Sequence, residues 1–66
     1  MKISVNDKQY ETNEGTTIAT LVDELGYGKN RIAVAIDNMV IPYSRWESFT
    51  LSEGVSLIII QAISGG

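Results

Sequence analysis

The sequence contains no cysteine and no histidine. Without cysteine, a disulfide scaffold and thiolate zinc sites are excluded, and a reducing, intracellular compartment is favoured. Without histidine, the commonest general base and the commonest metal ligand are missing, so neither a serine-hydrolase triad nor a metal centre is expected. Basic residues are sparse and scattered (Lys2, Lys8, Lys29, Arg31 and Arg45), and the formal net charge is −3. Nothing there could track a phosphate backbone, so nucleic acid is not an expected partner. The longest aliphatic run, Leu57 to Ile60, falls far short of the ~20 residues that span a bilayer. Met1-Lys2-Ile3 opens on strand-like alternation rather than an apolar leader. The expectation is a soluble, cytoplasmic protein with no membrane contact.

What is present fits one small domain. The chain has 66 residues, 44% hydrophobic and 20% charged. A domain of this size buries only about 60% of the surface its unfolded chain exposes, which leaves a thin core and little room for an internal catalytic pocket. Ile3 and Val5 alternate with Lys2, Ser4 and Asn6, and Asn6-Asp7-Lys8 signals a turn into a return strand over Gln9–Thr12. Thr16 or Thr17 is placed to cap a helix whose apolar stripe is Ile18, Leu21, Val22 and Leu25. Gly26 suits the left-handed position that ends it. Tyr27 to Asn30 reads as a loop. Ile32–Ile36 reads as a strand with alanines at 33 and 35, and Asp37-Asn38 turns it into Met39-Val40-Ile41. Pro42 ends that pairing. Trp46, Phe49 and Leu51 are expected as anchors of an irregular segment, and Val55–Ile60 is the clearest strand of all. The order β-β-α-β-β-β predicts an α+β fold, a mixed sheet with one amphipathic helix on one face.

Alternative chemistries find little support. Gly26-Tyr27-Gly28-Lys29 lacks the spacing of a phosphate loop and trails a helix instead of opening one. Asp23 and Glu24 are adjacent, so on a helix they cannot face each other as a catalytic pair. Trp46, Phe49 and the tyrosines are better explained as core and edge filling than as a ligand pocket.

The final strand and the residues after it carry the functional signal. Alternation sets Val55, Leu57 and Ile59 on one face and Ser56, Ile58 and Ile60 on the other. Two readings stay open: a central strand shielded on both faces, or an open face on which Ile58 and Ile60 dock a partner. With a single helix, one sheet face lacks helical cover, which favours docking. Residues 1–60 are read as the folded domain and 61–66 as a flexible tail. From Gly54 onward no side chain is charged. Fully extended, the tail reaches about 20 Å. Gly65 and Gly66 have no Cβ and Ser64 is nearly as small, so this end suits a narrow channel in a partner's active site. A terminal Gly-Gly by itself reads first as a frayed end; taken with the size, strand order and uncharged approach, the arm is the favoured reading.

Across essentially its whole length the chain resembles the ThiS family, the ubiquitin-like β-grasp sulfur carriers of thiamine (thiazole) biosynthesis. The resemblance rests on Met1–Asn6, on Glu14-Gly15-Thr16-Thr17-Ile18 leading into Leu21 and Leu25, and on Ala33-Val34-Ala35-Ile36-Asp37-Asn38. It continues through Val40-Ile41-Pro42, Trp46, Glu53-Gly54 and the ending Ser64-Gly65-Gly66. It implies that the domain itself catalyses nothing and binds no cofactor. An E1-like adenylating enzyme (ThiF type) uses ATP to activate Gly66. A sulfur-donor relay converts the end to a thiocarboxylate, and thiazole synthase (ThiG type) receives it. A free monomer is expected for a carrier that serves several partners. Three positions depart from the family's pattern: Ser64 for a common Gly, Tyr43 for a common Arg after Pro42, and Val55 for a common Asp after Gly54. They bear on partner contacts and not on the chemistry of the end. The neighbouring alternatives are a carrier of the molybdopterin synthase small-subunit type, a conjugated ubiquitin-like modifier, or an interaction module with an incidental Gly-Gly.

Overall fold

The computed structural model describes residues 1–27 and 32–61. Two hairpins supply four of the strands. β1 (Lys2–Val5) and β2 (Lys8–Glu11) are joined by Asn6-Asp7, and β3 (Ile32–Ile36) and β4 (Met39–Ile41) by Asp37-Asn38. All four turn residues have positive φ, between 52° and 67°. A two-residue hairpin loop matching the strand twist requires this of both positions, and Asn and Asp tolerate it best after glycine. The tightness of the first turn starts the return strand at Lys8, one residue before the expected Gln9, and ends it at Glu11.

α1 (Ile18–Glu24) is too short to persist alone, and its N-terminal amides are satisfied largely from elsewhere in the chain. Thr17, and not Thr16, is the N-cap: its hydroxyl oxygen accepts from Thr20 N–H at 3.3 Å. Ile18 N–H donates to the Phe49 carbonyl (3.1 Å) and Ala19 N–H to the Trp46 carbonyl (3.2 Å). Thr16 is buried, and its hydroxyl donates to the Asn13 carbonyl at 2.7 Å. At the other end Gly26, with φ 81°, donates to Asp23 O, and Tyr27 N–H donates to Val22 O. These are the paired bonds of a Schellman stop.

β5 (Ser56–Gln61) is the last strand in sequence and the middle one in space. The five-stranded order is β2-β1-β5-β3-β4, with β5 parallel to β1 and antiparallel to β3. One helix on one face of this mixed sheet is the β-grasp arrangement that the resemblance implies. Ile18, Leu21 and Val22 of α1 are buried with Ile3, Val5, Val34, Ile36, Ile41, Leu57 and Ile59 from one face of the sheet.

The segment after β4 was expected to be irregular; it contains a 3₁₀ turn at Tyr43–Arg45. That turn delivers Trp46 into the core, 2% exposed, where its indole N–H donates to the Ile41 carbonyl at 2.9 Å. The Tyr43 ring meets it edge-on, with centroids 5.1 Å apart. Leu51 is buried too, and Phe49 packs half-buried against the cluster. Trp46→Phe keeps most of the apolar volume but removes the indole N–H that donates to the Ile41 carbonyl. It should destabilise the fold by about 1–3 kcal/mol in denaturant unfolding, with the m-value unchanged.

Candidate functional site

β5 reads Ser-Leu-Ile-Ile-Ile-Gln, a β-branched run suited to a central strand. Leu57 and Ile59 point into the core, while Ile58 and Ile60 are 50% and 56% exposed on the opposite face. The strand is central, yet its second face is open. The cause lies in the neighbour strand. Ile58 pairs with Ala35 and Ile60 with Ala33, and a methyl group cannot shield an adjacent isoleucine. Directly paired residues share a face, so Val40, opposite Ala35, joins the same surface and is 66% exposed.

This open face has two halves. Towards β3 and β4 it is apolar, built from Ala33, Ala35, Val40, Ile58 and Ile60. Towards β1 and β2 it is polar: Ser4 pairs with Ser56 on one side and Gln9 on the other, and Lys2 pairs with Glu11. Val40 was not among the residues singled out from sequence. The signal for it was available, since a two-residue turn at Asp37-Asn38 sets Val40 opposite Ala35 once β3 and β4 are accepted as a hairpin.

Gln61 was assigned to the tail, but it is the last residue of β5 and pairs with Ile32. Val55, expected to open the strand, precedes it. Its carbonyl accepts from Ser4 N–H at 2.9 Å. Ser64, Gly65 and Gly66 lie outside the described residues, as do Gly28 to Asn30 of the expected loop.

Asn6 is a second residue whose role the sequence did not disclose. Its side-chain oxygen accepts from Ile59 N–H at 2.8 Å, and its side-chain nitrogen donates to Ile59 O at 3.2 Å. A turn residue thus grips the strand that carries the apolar face.

Other chemistry has little footing among the described residues. No group of three or more carboxylate, thiol or imidazole side chains stands ready to hold a metal ion. Asp23 and Glu24 lie exposed on α1. Trp46 fills the core, and no described helix is long and apolar enough to cross a membrane. Tyr43, one of the departures from the family's pattern, is 58% exposed and so available to a partner.

Comparison with known proteins agrees with this geometry. The model of the ThiS family matches residues 3–66. The sulfur carrier protein ThiS of Escherichia coli (strain K12) is 27% identical over 66 residues, covering all of both chains. The crystal structure of a thiamine biosynthesis protein (ThiS) from Geobacter metallireducens superposes with a TM-score of 0.84 at 19% identity, again over the whole of both chains. A solution structure of a thiamine biosynthesis protein from the same organism gives 0.82 at 19% identity, covering this whole chain and 88% of that one. These structures establish the likeness of fold, and the family match runs from β1 to the terminal glycines: the chain belongs to the ThiS family.

Proposed function

We propose that this protein is the sulfur carrier of a thiamine (thiazole) pathway, and that it carries sulfur as a thiocarboxylate on Gly66. The observation that carries the proposal is the family match over residues 3–66, which includes Ser64-Gly65-Gly66. The absence of charged side chains from Gly54 onward supports it, because an arm entering a partner's active site then has no side-chain charge to desolvate.

The chemistry follows from the poor reactivity of a carboxylate. The Gly66 carboxylate attacks the α-phosphorus of ATP in an E1-like adenylating enzyme of the ThiF type, and pyrophosphate leaves. A sulfide equivalent from a donor relay then attacks the acyl-adenylate carbonyl and expels AMP, leaving the terminal thiocarboxylate. A thiazole synthase of the ThiG type accepts the sulfur. Every catalytic step belongs to a partner; the chain binds no cofactor, works in the cytoplasm and supplies a surface and an end. Glycine has the least hindered acyl carbon, and the chain holds no cysteine to attack the activated carbonyl from within.

The apolar half of the open face is the docking surface in this proposal, with Ile58, Ile60 and Val40 as its large residues. It lies on the strand from which the C-terminal residues continue, so a partner that docks there receives Gly66 within the ~17 Å reach of the intervening five residues.

Three outcomes are expected. Incubation with ATP, the adenylating enzyme and a sulfur source, followed by a thiol-directed alkylating reagent and fragmentation mass spectrometry, should label Gly66. Deletion of Gly66 should abolish the label without unfolding the domain. Fragmentation is needed because oxidation of Met1 or Met39 nearly matches the mass gain of sulfur for oxygen. A wild-type chain that stays unlabelled beside a control carrier that is labelled would defeat the proposal. Ile58→Glu places a charge on the open face. It should weaken binding to the adenylating enzyme at least ~10-fold in a titration, while stability changes by about 1 kcal/mol or less. Unchanged affinity would remove the open face from the docking surface.

A further inference from the structure

We infer that Asn6 is a positioning residue for the C-terminal arm: its carboxamide takes the place of the main-chain acceptor and donor that β1 would offer Ile59, and holds β5 where β1 has already turned away. The inference rests on the carrier reading above and adds to it the element that fixes where the arm begins.

The rungs of the parallel β1–β5 ladder are regular. Ser4 N–H donates to Val55 O at 2.9 Å, and Asn6 N–H donates to Leu57 O at 3.0 Å. The next pairing would set Asp7 beside Ile59, with Ile59 N–H donating to the Asn6 carbonyl and Lys8 N–H to the Ile59 carbonyl. It cannot form from the main chain, because Asn6 and Asp7 have φ of 52° and 67° and turn the strand into β2. Ile59 would then lose its partners on the β1 side while keeping β3 on the other. The Asn6 side chain fills the gap. A primary carboxamide carries the same donor and acceptor as a peptide group, and here it uses both: Oδ1 takes the Ile59 N–H (2.8 Å) and Nδ2 gives to the Ile59 carbonyl (3.2 Å).

Asparagine meets three requirements at this position together. It tolerates the left-handed backbone of the turn, it accepts, and it donates. Aspartate keeps the backbone and the acceptor but turns an oxygen towards the Ile59 carbonyl. Glycine keeps only the backbone.

The consequence for function comes from where Ile59 sits. It lies between Ile58 and Ile60 of the proposed docking surface, and Gln61 is the last described residue before the arm. With the clamp closed, β5 is held from both sides as far as Ile59. With it open, β5 beyond Leu57 is held by β3 alone, and the arm starts from a strand end of less certain direction. Because transfer at Gly66 demands placement within a fraction of an ångström or so, turnover should suffer more than encounter.

The test compares wild type with Asn6→Gly and Asn6→Asp by backbone amide exchange and by steady-state adenylation of Gly66 with a ThiF-type enzyme and ATP. Thermal unfolding checks that each variant is folded at the assay temperature. In Asn6→Gly the Ile59 amide should exchange about tenfold faster, with the amides of β1 and β3 little changed. Its kcat should fall about tenfold, with KM for the carrier within about twofold of wild type. Asn6→Asp should lose less Ile59 protection, since the acceptor remains, but should lower kcat in the same direction. Wild-type kcat in both variants overturns the positioning role, whatever the amides do, and so does unchanged Ile59 exchange in Asn6→Gly. A wild-type chain that is not adenylated by an enzyme active on a control carrier defeats the carrier reading, and the positioning role with it. The two failures are therefore distinguishable.

Discussion

The insertion of β5 between β1 and β3 is the constraint on which the rest of this small structure depends. Until that strand is in place, β1–β2 and β3–β4 are two separate hairpins, and isolated hairpins are marginal in water. β5 joins them by pairing parallel to one and antiparallel to the other. Its Leu57 and Ile59 complete the apolar surface on which α1 rests. The pairing of Ser4 with Ser56 closes a loop of most of the chain, so much of the ordering entropy falls due before these contacts form.

The helix is equally dependent on distant parts. Its N-terminal amides find carbonyls at Trp46 and Phe49, in the segment that also lowers Trp46 into the core. Helix, 3₁₀ turn and sheet therefore stabilise one another, and none has an independent reason to be ordered. A domain of 66 residues cannot tolerate many loose polar ends in a thin core. Among the described residues no buried side-chain nitrogen or oxygen lacks a hydrogen-bond partner.

What could be read from sequence follows the same division between local and distant. Asn6-Asp7 and Asp37-Asn38 announce their turns because left-handed backbone is a property of the residues themselves. The helix stripe Ile18, Leu21, Val22 and Leu25, the stop at Gly26, and the alternation that turns Ile58 and Ile60 away from Leu57 and Ile59 are equally local. The resemblance then supplied what periodicity cannot, the β-grasp arrangement. The details that escaped are long-range bonds. Thr16 and Thr17 are equivalent as caps until the burial of one is known. Gln61 looks like tail until Ile32 is seen opposite it. Asn6 looks like a turn residue alone, because its second task concerns a strand more than fifty positions away. The exposure of Ile58 could have been strengthened from sequence, since alanines at 33 and 35 gave warning that one face of the sheet would lack bulk.

The proposed placement of function at an end accords with the size of the fold. Among the described residues one helix and five short strands enclose a thin core. In the proposed function so small a domain offers a face and an end, and β5 supplies the first and precedes the second in the sequence. Because β5 is central, its first half is held by main chain, with Leu57 paired to Val5 on one side and Ile36 on the other. A central strand placed elsewhere in the sequence would stabilise the sheet as well, but it would not join the proposed docking face to the terminus.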